Sequence, residues 1–207
     1  DILSFDMGGT TAKAALVEKG LPKISPMMEV ARTNRFKKGS GLPVFVPVID
    51  MIEIGAGGGS IARVDALGLL KVGPESAGAD PGPACYSKGG KLPTVTDASL
   101  VLGYLDPDFF LGGTMSLDKS AAVEAMTGLS KELGLSVIET ARGIYDLVCE
   151  NMAAAARVHI VETGRDPRGY AMVAMGGAGP LHAATVAGKL GIKEIIIPAA
   201  SGTASAL

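Results

Sequence analysis

Short apolar runs dominate the first fifty residues of the chain. Two of them, 2–5 and 14–17, flank a polar turn, and a third, 27–31, follows a break that contains Gly20 and Pro22. Runs of this length, separated by glycine and proline, are typical of β-strands. The pattern therefore predicts that residues 1–32 form a three-stranded β-meander.

A longer apolar and β-branched run covers residues 44–54 and predicts one further strand. Its charged residues are Asp50 and Glu53, which an odd spacing places on opposite faces of a regular strand. One of the two carboxylates can then lie near a functional site while the other faces solvent. We take Asp50 as a candidate catalytic residue.

The second half of the chain changes to a helical repeat and then to buried strands. Apolar residues recur with a helical period, and the runs 170–175 and 194–197 are too short for helices. A glycine-rich turn and a helix separate these runs, which predicts a right-handed crossover between parallel strands. The predicted helices cover residues 98–104, 116–133, 136–162 and 181–190.

The first polar turn holds candidate chemistry. Its glycines allow backbone N–H groups to approach an anion closely, and its threonines add hydroxyl donors, so phosphate is the expected ligand. Asp6 would reach a phosphate only through a cation or a water, which indicates a metal bound through water. An ordinary tight hairpin that uses Gly-Gly is the alternative. The candidate residues are Asp6, Gly8, Gly9, Thr10 and Thr11.

Two further glycine clusters are candidate ligand loops. Gly57, Gly58 and Gly59 follow the predicted strand 44–54, and the alternative is a glycine bulge packed on another backbone. The later turn places a helix N-terminus, with its free N–H groups, at the carboxyl end of a strand, where a nucleotide is expected. That turn consists of Gly176, Gly177, Ala178 and Gly179.

Other polar residues have both a functional and a structural interpretation. Arg35, Lys37 and Lys38 lie in a basic segment that is either a solvated loop or a phosphate contact. Asp97 is favoured as a helix cap over a catalyst. His182 is favoured as a partly exposed helix histidine over a catalytic residue. Cys85 and Cys149 make no disulfide framework, and no histidine lies near Cys85 in sequence to activate it.

The composition excludes several classes of protein. A chain of 207 residues with 47% hydrophobic and 19% charged residues can bury a substantial core. The net charge of −2 and the absence of Trp argue against a nucleic-acid surface. We find no apolar run of membrane-spanning length and no signal peptide, so a cytoplasmic protein is expected. The chain begins inside a predicted strand without Met, and we interpret it as a fragment of a longer polypeptide.

A β-meander with a phosphate turn, followed by a strand–turn–helix–strand unit, resembles the second half of an actin-like ATPase. The resemblance narrows to the hydantoinase A/5-oxoprolinase family, and it covers nearly all of the chain. The strings that carry it, in the order of the family, are FDMGGTTAK, IGAGGGSIA, GPESAGADPGPACY, PTVTDASLVLGYLDPDFFLGG and GGAGPLHA.

The resemblance implies a fold and a function. The fold would be α/β and ribonuclease H-like, with a β-meander, a mixed sheet and flanking helices. Residues 1–207 would be a single actin-like domain, and residues 33–133 a glycine- and proline-rich insertion within it. The activity would be ATP-dependent opening of a cyclic amide with Mg²⁺. An acetone-carboxylase-like subunit and a non-catalytic nucleotide-binding module are the alternatives.

The resemblance also implies partners and roles for residues. A further N-terminal actin-like domain would complete the ATP cleft, and a hydantoinase B-type subunit or fused domain would act with it on a small cyclic amide or ketone. Phosphate would contact Asp6, Gly8, Gly9, Thr10 and Thr11. The nucleotide would contact residues 176–179, and Gly57–Gly59 would lie beside the reaction centre. Two dipeptides depart from the family pattern. Ala12-Lys13 replaces Thr-Asp after the hairpin, and Ile52-Glu53 replaces His-Thr before the glycine loop.

Overall fold

The computed structural model describes residues 1–31 and 40–204, which contain a mixed β-sheet with helices packed on one face. The strands are β1 (Ile2–Met7), β2 (Ala12–Glu18), β3 (Leu21–Pro22), β4 (Ile24–Ser25), β5 (Met28–Val30), β6 (Leu42–Val44), β7 (Val48–Ile49), β8 (Met51–Ile54), β9 (Ser60–Val64), β10 (Leu70–Ser76), β11 (Ala171–Met175) and β12 (Ile195–Ile196). The helices are α1 (Val95–Val101), α2 (Lys119–Leu133), α3 (Val137–Glu162) and α4 (Gly179–Leu190). Single 3₁₀ turns occur at Ala84–Tyr86, Leu111–Gly113 and Pro167–Gly169.

The main sheet combines parallel and antiparallel pairs. Its order is β12–β11–β1–β2–β3, and β8 also pairs with β2. β11 is parallel to both β1 and β12, whereas β2 is antiparallel to β1, β3 and β8. Asp6 near the end of β1 lies opposite Met175 at the end of β11. The turns that follow these two strands therefore leave the sheet at the same edge, as expected for parallel neighbours.

Buried and half-buried side chains alternate along β1, so the strand has a core face and a half-open face. Leu3, Phe5 and Met7 are fully buried and belong to the core on which α3 and α4 pack. Ser4 and Asp6 point to the opposite face and are half-buried. Burying a large apolar side chain contributes about 1.5–3 kcal/mol, so these three positions fix the register of the strand. The register in turn directs Asp6 to the half-open face.

The third strand of the meander differs from the sequence-based prediction. Met28–Val30 pairs with β6 in a separate two-stranded sheet, and the places beside β2 belong to Leu21–Pro22 and Met51–Ile54. The predicted strand 44–54 is divided, and Pro47, which has no N–H to donate to a ladder, lies in the break. Only the last part of that run joins the main sheet.

The strands between β3 and β8 form a ribbon outside the core. β4 pairs with β7 and β5 pairs with β6, both antiparallel. No described residue from 17 to 53 is buried, and the ribbon exposes several large apolar side chains. These include Leu21, Ile24, Leu42, Phe45 and Ile49.

Helix caps confirm one sequence signal and shift another. α3 begins with the predicted capping box, in which Ser136 and Glu139 satisfy each other's backbone N–H groups. α1 starts three residues earlier than predicted, because Thr94 is its N-cap and Asp97 occupies the third helical position of a capping box. The predicted α/β architecture with a mixed sheet and flanking helices is confirmed. The division into one domain with an insertion at 33–133 stays a prediction.

Candidate functional site

The turn between β1 and β2 borders open space. Gly8 N–H donates to the Thr11 carbonyl at 3.0 Å, which closes the turn. A Cβ atom at Gly8 or Gly9 would meet no heavy atom within 4 Å, and Gly9 and Thr10 are exposed. A ligand can therefore approach this backbone and its hydroxyl groups without displacing protein atoms.

The turn after β11 lies directly against the first one. Ala178 N–H donates to the Met7 carbonyl at 2.9 Å, which joins the two turns. Gly176 has φ +80°, and a side chain there would collide with the Asp6 carboxylate and the Met7 backbone. α4 begins at Gly179 without a side-chain cap. The N–H groups of its first turn are thus left for a ligand or water.

Together the two turns line a pocket of about 250 Å³. Its charged groups are one carboxylate and one ammonium, and the rest of its lining is glycine and threonine. This chemistry suits a small anion better than an apolar molecule. The lining residues are Asp6, Gly8, Gly9, Thr10, Thr11, Lys13, Gly176, Gly177 and Gly202.

The glycine loop 57–59 lies behind the hairpin turn and does not line the pocket. Gly58 N–H donates to the Gly8 carbonyl at 3.0 Å, and Gly59 N–H donates to the Gly9 carbonyl at 2.6 Å. A Cβ atom at Gly57 would stand 2.5 Å from the Thr10 nitrogen. All three loop glycines are buried. The loop therefore supports the turn backbone to backbone, as a glycine bulge would.

The start of α1 supports the glycine loop in turn. Thr96 donates to the Gly58 carbonyl through both its backbone N–H, at 2.8 Å, and its hydroxyl, at 2.9 Å. The fully buried Asp97 accepts hydrogen bonds from the Ala84, Cys85 and Thr94 backbone N–H groups and from the Thr94 hydroxyl. Asp97 is a structural cap, and Thr96 is a site residue that the sequence analysis did not select.

Asp50 is not brought to this pocket. It lies just before β8, its carboxylate is 3.3 Å from Lys23 Nζ, and its backbone N–H donates to the Lys23 carbonyl. The β2 residue nearest the turn is Ala12, which pairs with Ile54. Ile54 lies at the end of β8 that is farther from Asp50. The catalytic role of Asp50 stays a prediction that the pocket geometry does not support.

Cys85 and His182 are buried and have structural partners, so the prediction that His182 is partly exposed is wrong. Burial, together with the nearby Asp97 carboxylate, raises the pKa of the Cys85 thiol, so the nucleophilic thiolate is disfavoured. Burial lowers the pKa of His182, so its ring is neutral near pH 7, and Nδ1–H donates to the Ala178 carbonyl at 2.9 Å. His182 therefore steadies the second turn from the core side. Arg35, Lys37 and Lys38 lie outside the described residues.

A metal at this site would depend on its ligand for most of its coordination. Within residues 1–31 and 40–204, no group of three or more His, Cys, Asp or Glu side chains could hold a metal ion. One carboxylate beside two threonine hydroxyls fits Mg²⁺, which retains water and shares phosphate oxygens rather than using an all-protein cage.

Within residues 1–31 and 40–204, no helix combines the length and the hydrophobicity that crossing a membrane requires.

The whole chain, residues 1–207, matches the family model described as hydantoinase/oxoprolinase, and the chain belongs to that family. It is 42% identical to the caprolactamase subunit alpha of Pseudomonas jessenii over 96% of this chain. This chain is also 40% identical to the acetophenone carboxylase gamma subunit of Aromatoleum aromaticum, over 97% of this chain. The 5-oxoprolinase 1 of Arabidopsis thaliana is 33% identical over 99% of the chain.

Two solved structures show the same fold. The ATP-dependent caprolactamase from Pseudomonas jessenii superposes with a TM-score of 0.84 at 40% identity over 99% of this chain. A nucleotide-free acetone carboxylase superposes with a TM-score of 0.84 at 33% identity over 97% of it. The chain spans 27% of the caprolactamase subunit and 17% of the Arabidopsis protein. Several relatives are subunits of multi-subunit enzymes.

Proposed function

We propose that the protein is an ATP-dependent hydrolase subunit that opens cyclic amides of the hydantoin, N-methylhydantoin or 5-oxoproline type. The observation that carries the proposal is the pairing of two glycine-rich turns around one pocket, joined by the Ala178 to Met7 hydrogen bond. The pairing occurs in a chain of the hydantoinase/oxoprolinase family. Relatives named caprolactamase and 5-oxoprolinase support a ring amide as the substrate.

The pocket residues would divide the binding of ATP between the two turns. Gly8, Gly9, Thr10 and Thr11 would hold phosphate oxygens through backbone and hydroxyl donors. The turn at residues 176–179 would face the nucleotide at the start of α4. Asp6 would hold Mg²⁺ through a water, since an anionic side chain meets phosphate favourably only across a cation.

ATP would supply a phosphoryl group that activates the amide oxygen of the substrate. The P–O bond to ADP would break as a new P–O bond forms to that oxygen, which leaves the amide carbon electrophilic. Water would then add to the carbon, and the ring C–N bond would open with a proton going to the nitrogen. A second water would hydrolyse the resulting acyl phosphate to a carboxylate and free phosphate. The contribution of this chain is positioning and charge stabilisation at the phosphoryl group.

Partner elements are part of the proposal. An additional actin-like domain of the same polypeptide would form the opposite wall of the ATP cleft. A hydantoinase B-type subunit or fused domain would complete the hydrolysis. Support comes from the fraction of each relative that this chain spans, 27% of the caprolactamase subunit, and from the subunit names of the relatives.

An acetone-carboxylase-like ATP-using subunit is the second candidate. It is favoured by the TM-score of 0.84 to acetone carboxylase, equal to that of caprolactamase. The same pocket would then serve a ketone whose enolate oxygen receives the phosphoryl group. The two candidates differ in the substrate and share the role of this chain.

Substrate-stimulated ATP hydrolysis by the full-length protein, with its partner subunit present, tests the proposal. The panel contains lactams, hydantoins and 5-oxoproline on one side and ketones with bicarbonate on the other. We expect stimulation by a cyclic amide, and a loss of about 10²-fold or more in turnover for Asp6→Asn. Glu132→Gln on the exposed surface of α2 is the matched control and should retain wild-type turnover.

Each outcome decides between the candidates. Stimulation by ketones alone supports the carboxylase-like subunit. If no compound stimulates hydrolysis and Asp6→Asn retains partner binding and function, the chain is a non-catalytic nucleotide-binding module and the enzymatic proposal fails.

A further inference from the structure

Three charged residues form a row across neighbouring strands beside the hairpin turn. Asp6 on β1 lies directly opposite Lys13 on β2, and Lys13 lies directly opposite Glu53 on β8. Residues directly opposite each other in antiparallel strands point to the same face of the sheet. This is the half-open face that also carries the pocket. The row therefore places one ammonium between two carboxylates at the edge of the anion site.

Lys13 is the cation of that pocket. It is exposed and is the one basic side chain among the described residues that line the pocket. Among the ion pairs within the described ranges, none joins Lys13 to Asp6 or Glu53. An ammonium placed between two carboxylates without a close ion pair to either keeps its donors available. A ligand that brings several negative charges can engage them.

The distances along β2 allow this engagement. Lys13 follows Thr11 by two residues, a separation of about 7 Å in an extended strand. The lysine stem is long and flexible, so its ammonium can reach the space over the turn. A polyphosphate bound at residues 8–11 would bring more negative charge than one divalent cation neutralises. A second positive charge at this edge would balance it.

We propose that Lys13 binds the terminal phosphates of a nucleoside triphosphate. The inference rests on the proposed function for the nature of the ligand. It goes beyond it by assigning the discrimination between triphosphate and monophosphate to one side chain. Lys13 is a binding residue.

The test compares nucleotide affinities of the full-length protein, measured by calorimetry with ATP, ADP and AMP as probes. For Lys13→Met and Lys13→Gln we expect ATP affinity to fall by about 10- to 100-fold, the range of a charged hydrogen bond. AMP affinity should stay within about twofold of wild type, because AMP lacks the terminal phosphates. Lys13→Arg should restore most of the ATP affinity, since it keeps the charge.

Two further variants sharpen the test. Lys71→Met, on β10 and paired with Asp65, is the matched control and should bind all three nucleotides as wild type does. Glu53→Gln should keep ATP affinity within a few-fold of wild type, because Glu53 lies opposite Lys13 in the sheet without a close ion pair to it. A general structural defect would lower ATP and AMP affinity together, which the ratio of the two detects.

The result that overturns the inference is wild-type ATP affinity in both Lys13→Met and Lys13→Gln, or an equal loss for ATP and AMP. The outcome is separable from that of the proposed function. If Lys13→Met retains cyclic-amide-stimulated ATP hydrolysis at the wild-type KM, the inference fails while the function stands. If no cyclic amide stimulates hydrolysis but Lys13→Met selectively loses ATP affinity, the function fails while the inference stands.

Discussion

Two sets of glycines surround the same turn and differ in what lies next to their missing side chains. Gly8, Gly9 and Gly177 have no heavy atom within 4 Å of the position that a Cβ would take. At Gly57, by contrast, a Cβ would stand 2.5 Å from the Thr10 nitrogen, and at Gly176 it would collide with Asp6 and Met7. The first set borders open space, and the second set lets backbones pack on each other.

The difference teaches that a glycine-rich motif contains two physical demands. Packing glycines set the shape of the pocket because the hairpin turn, the loop at 57–59 and the second turn touch without side chains between them. Open glycines keep the pocket accessible to an anion. Stability should therefore depend on the packing glycines and ligand binding on the open ones. Single substitutions in the two sets can separate these effects.

The largest effect is expected at a packing glycine. Gly57→Ala places a methyl group 2.6 Å from the Gly9 carbonyl carbon and oxygen, in a backbone that cannot move independently of β1 and β2. We expect a loss of about 3 kcal/mol or more in local stability, the upper part of the range for overpacking. Hydrogen–deuterium exchange of full-length protein, read on peptides that cover residues 5–12 and 54–62, measures the loss.

Gly188→Ala is the control for this change. Gly188 lies within α4, and a Cβ there meets nothing within 4 Å. Alanine in a helix interior should stabilise α4 by about 1 kcal/mol. Unchanged exchange in Gly57→Ala would show that the turn and the loop can separate, and the packing interpretation would be wrong.

A smaller effect on the protein, but a clear one on the ligand, is expected at an open glycine. Gly9→Ala should leave hydrogen exchange within about 0.5 kcal/mol of wild type, because its methyl group enters empty space. The same methyl group occupies volume that a phosphate would use, so ATP affinity should fall by about 10- to 100-fold. Calorimetry with ATP measures it. Wild-type ATP affinity in Gly9→Ala would place the phosphate away from this turn.

The sequence was sufficient to predict the two turns but not their relation to the glycine loop. The Asp6 turn and the turn at 176–179 were identified because a strand–turn–helix–strand unit places its turn at the carboxyl end of parallel strands. The sequence predicts a ligand loop at 57–59, whereas the structure places this loop behind the hairpin. A glycine required for backbone contact cannot be distinguished in the sequence from one that borders a ligand, so composition does not separate the two roles.

The ribbon between β3 and β8 shows a second limit. Its residues are apolar and β-branched, which predicted strands in the meander, yet Phe45 is 82% exposed. Local pattern reports strand propensity and does not report which sheet a strand joins. The pairing of Ala12–Ala15 with Met51–Ile54 determines which strand joins the main sheet. This pairing joins residues that are far apart in the sequence.

Thr96 shows the same limit at the site, since its partner Gly58 lies 38 residues away in the chain. Its hydroxyl is the second of two donors to the Gly58 carbonyl, so the smallest of the predicted effects is expected here. Thr96→Val keeps the shape and the backbone donor but removes the hydroxyl. We expect the loop to lose about 1 kcal/mol, a roughly fivefold increase in hydrogen exchange at residues 57–60.

The serine variant makes this last prediction decisive. Thr96→Ser retains the hydroxyl and loses only a methyl group, so its exchange at residues 57–60 should lie closer to wild type than that of Thr96→Val. ATP affinity should change by about twofold at most in either variant, because Thr96 acts on the pocket through Gly58 and Gly8 rather than by contact. If the two variants lose protection equally, the methyl group and its packing, not the hydroxyl bond, hold the loop against the turn. The hydrogen bond from the Thr96 N–H to the Gly58 carbonyl would then be the one that connects α1 with the glycine loop.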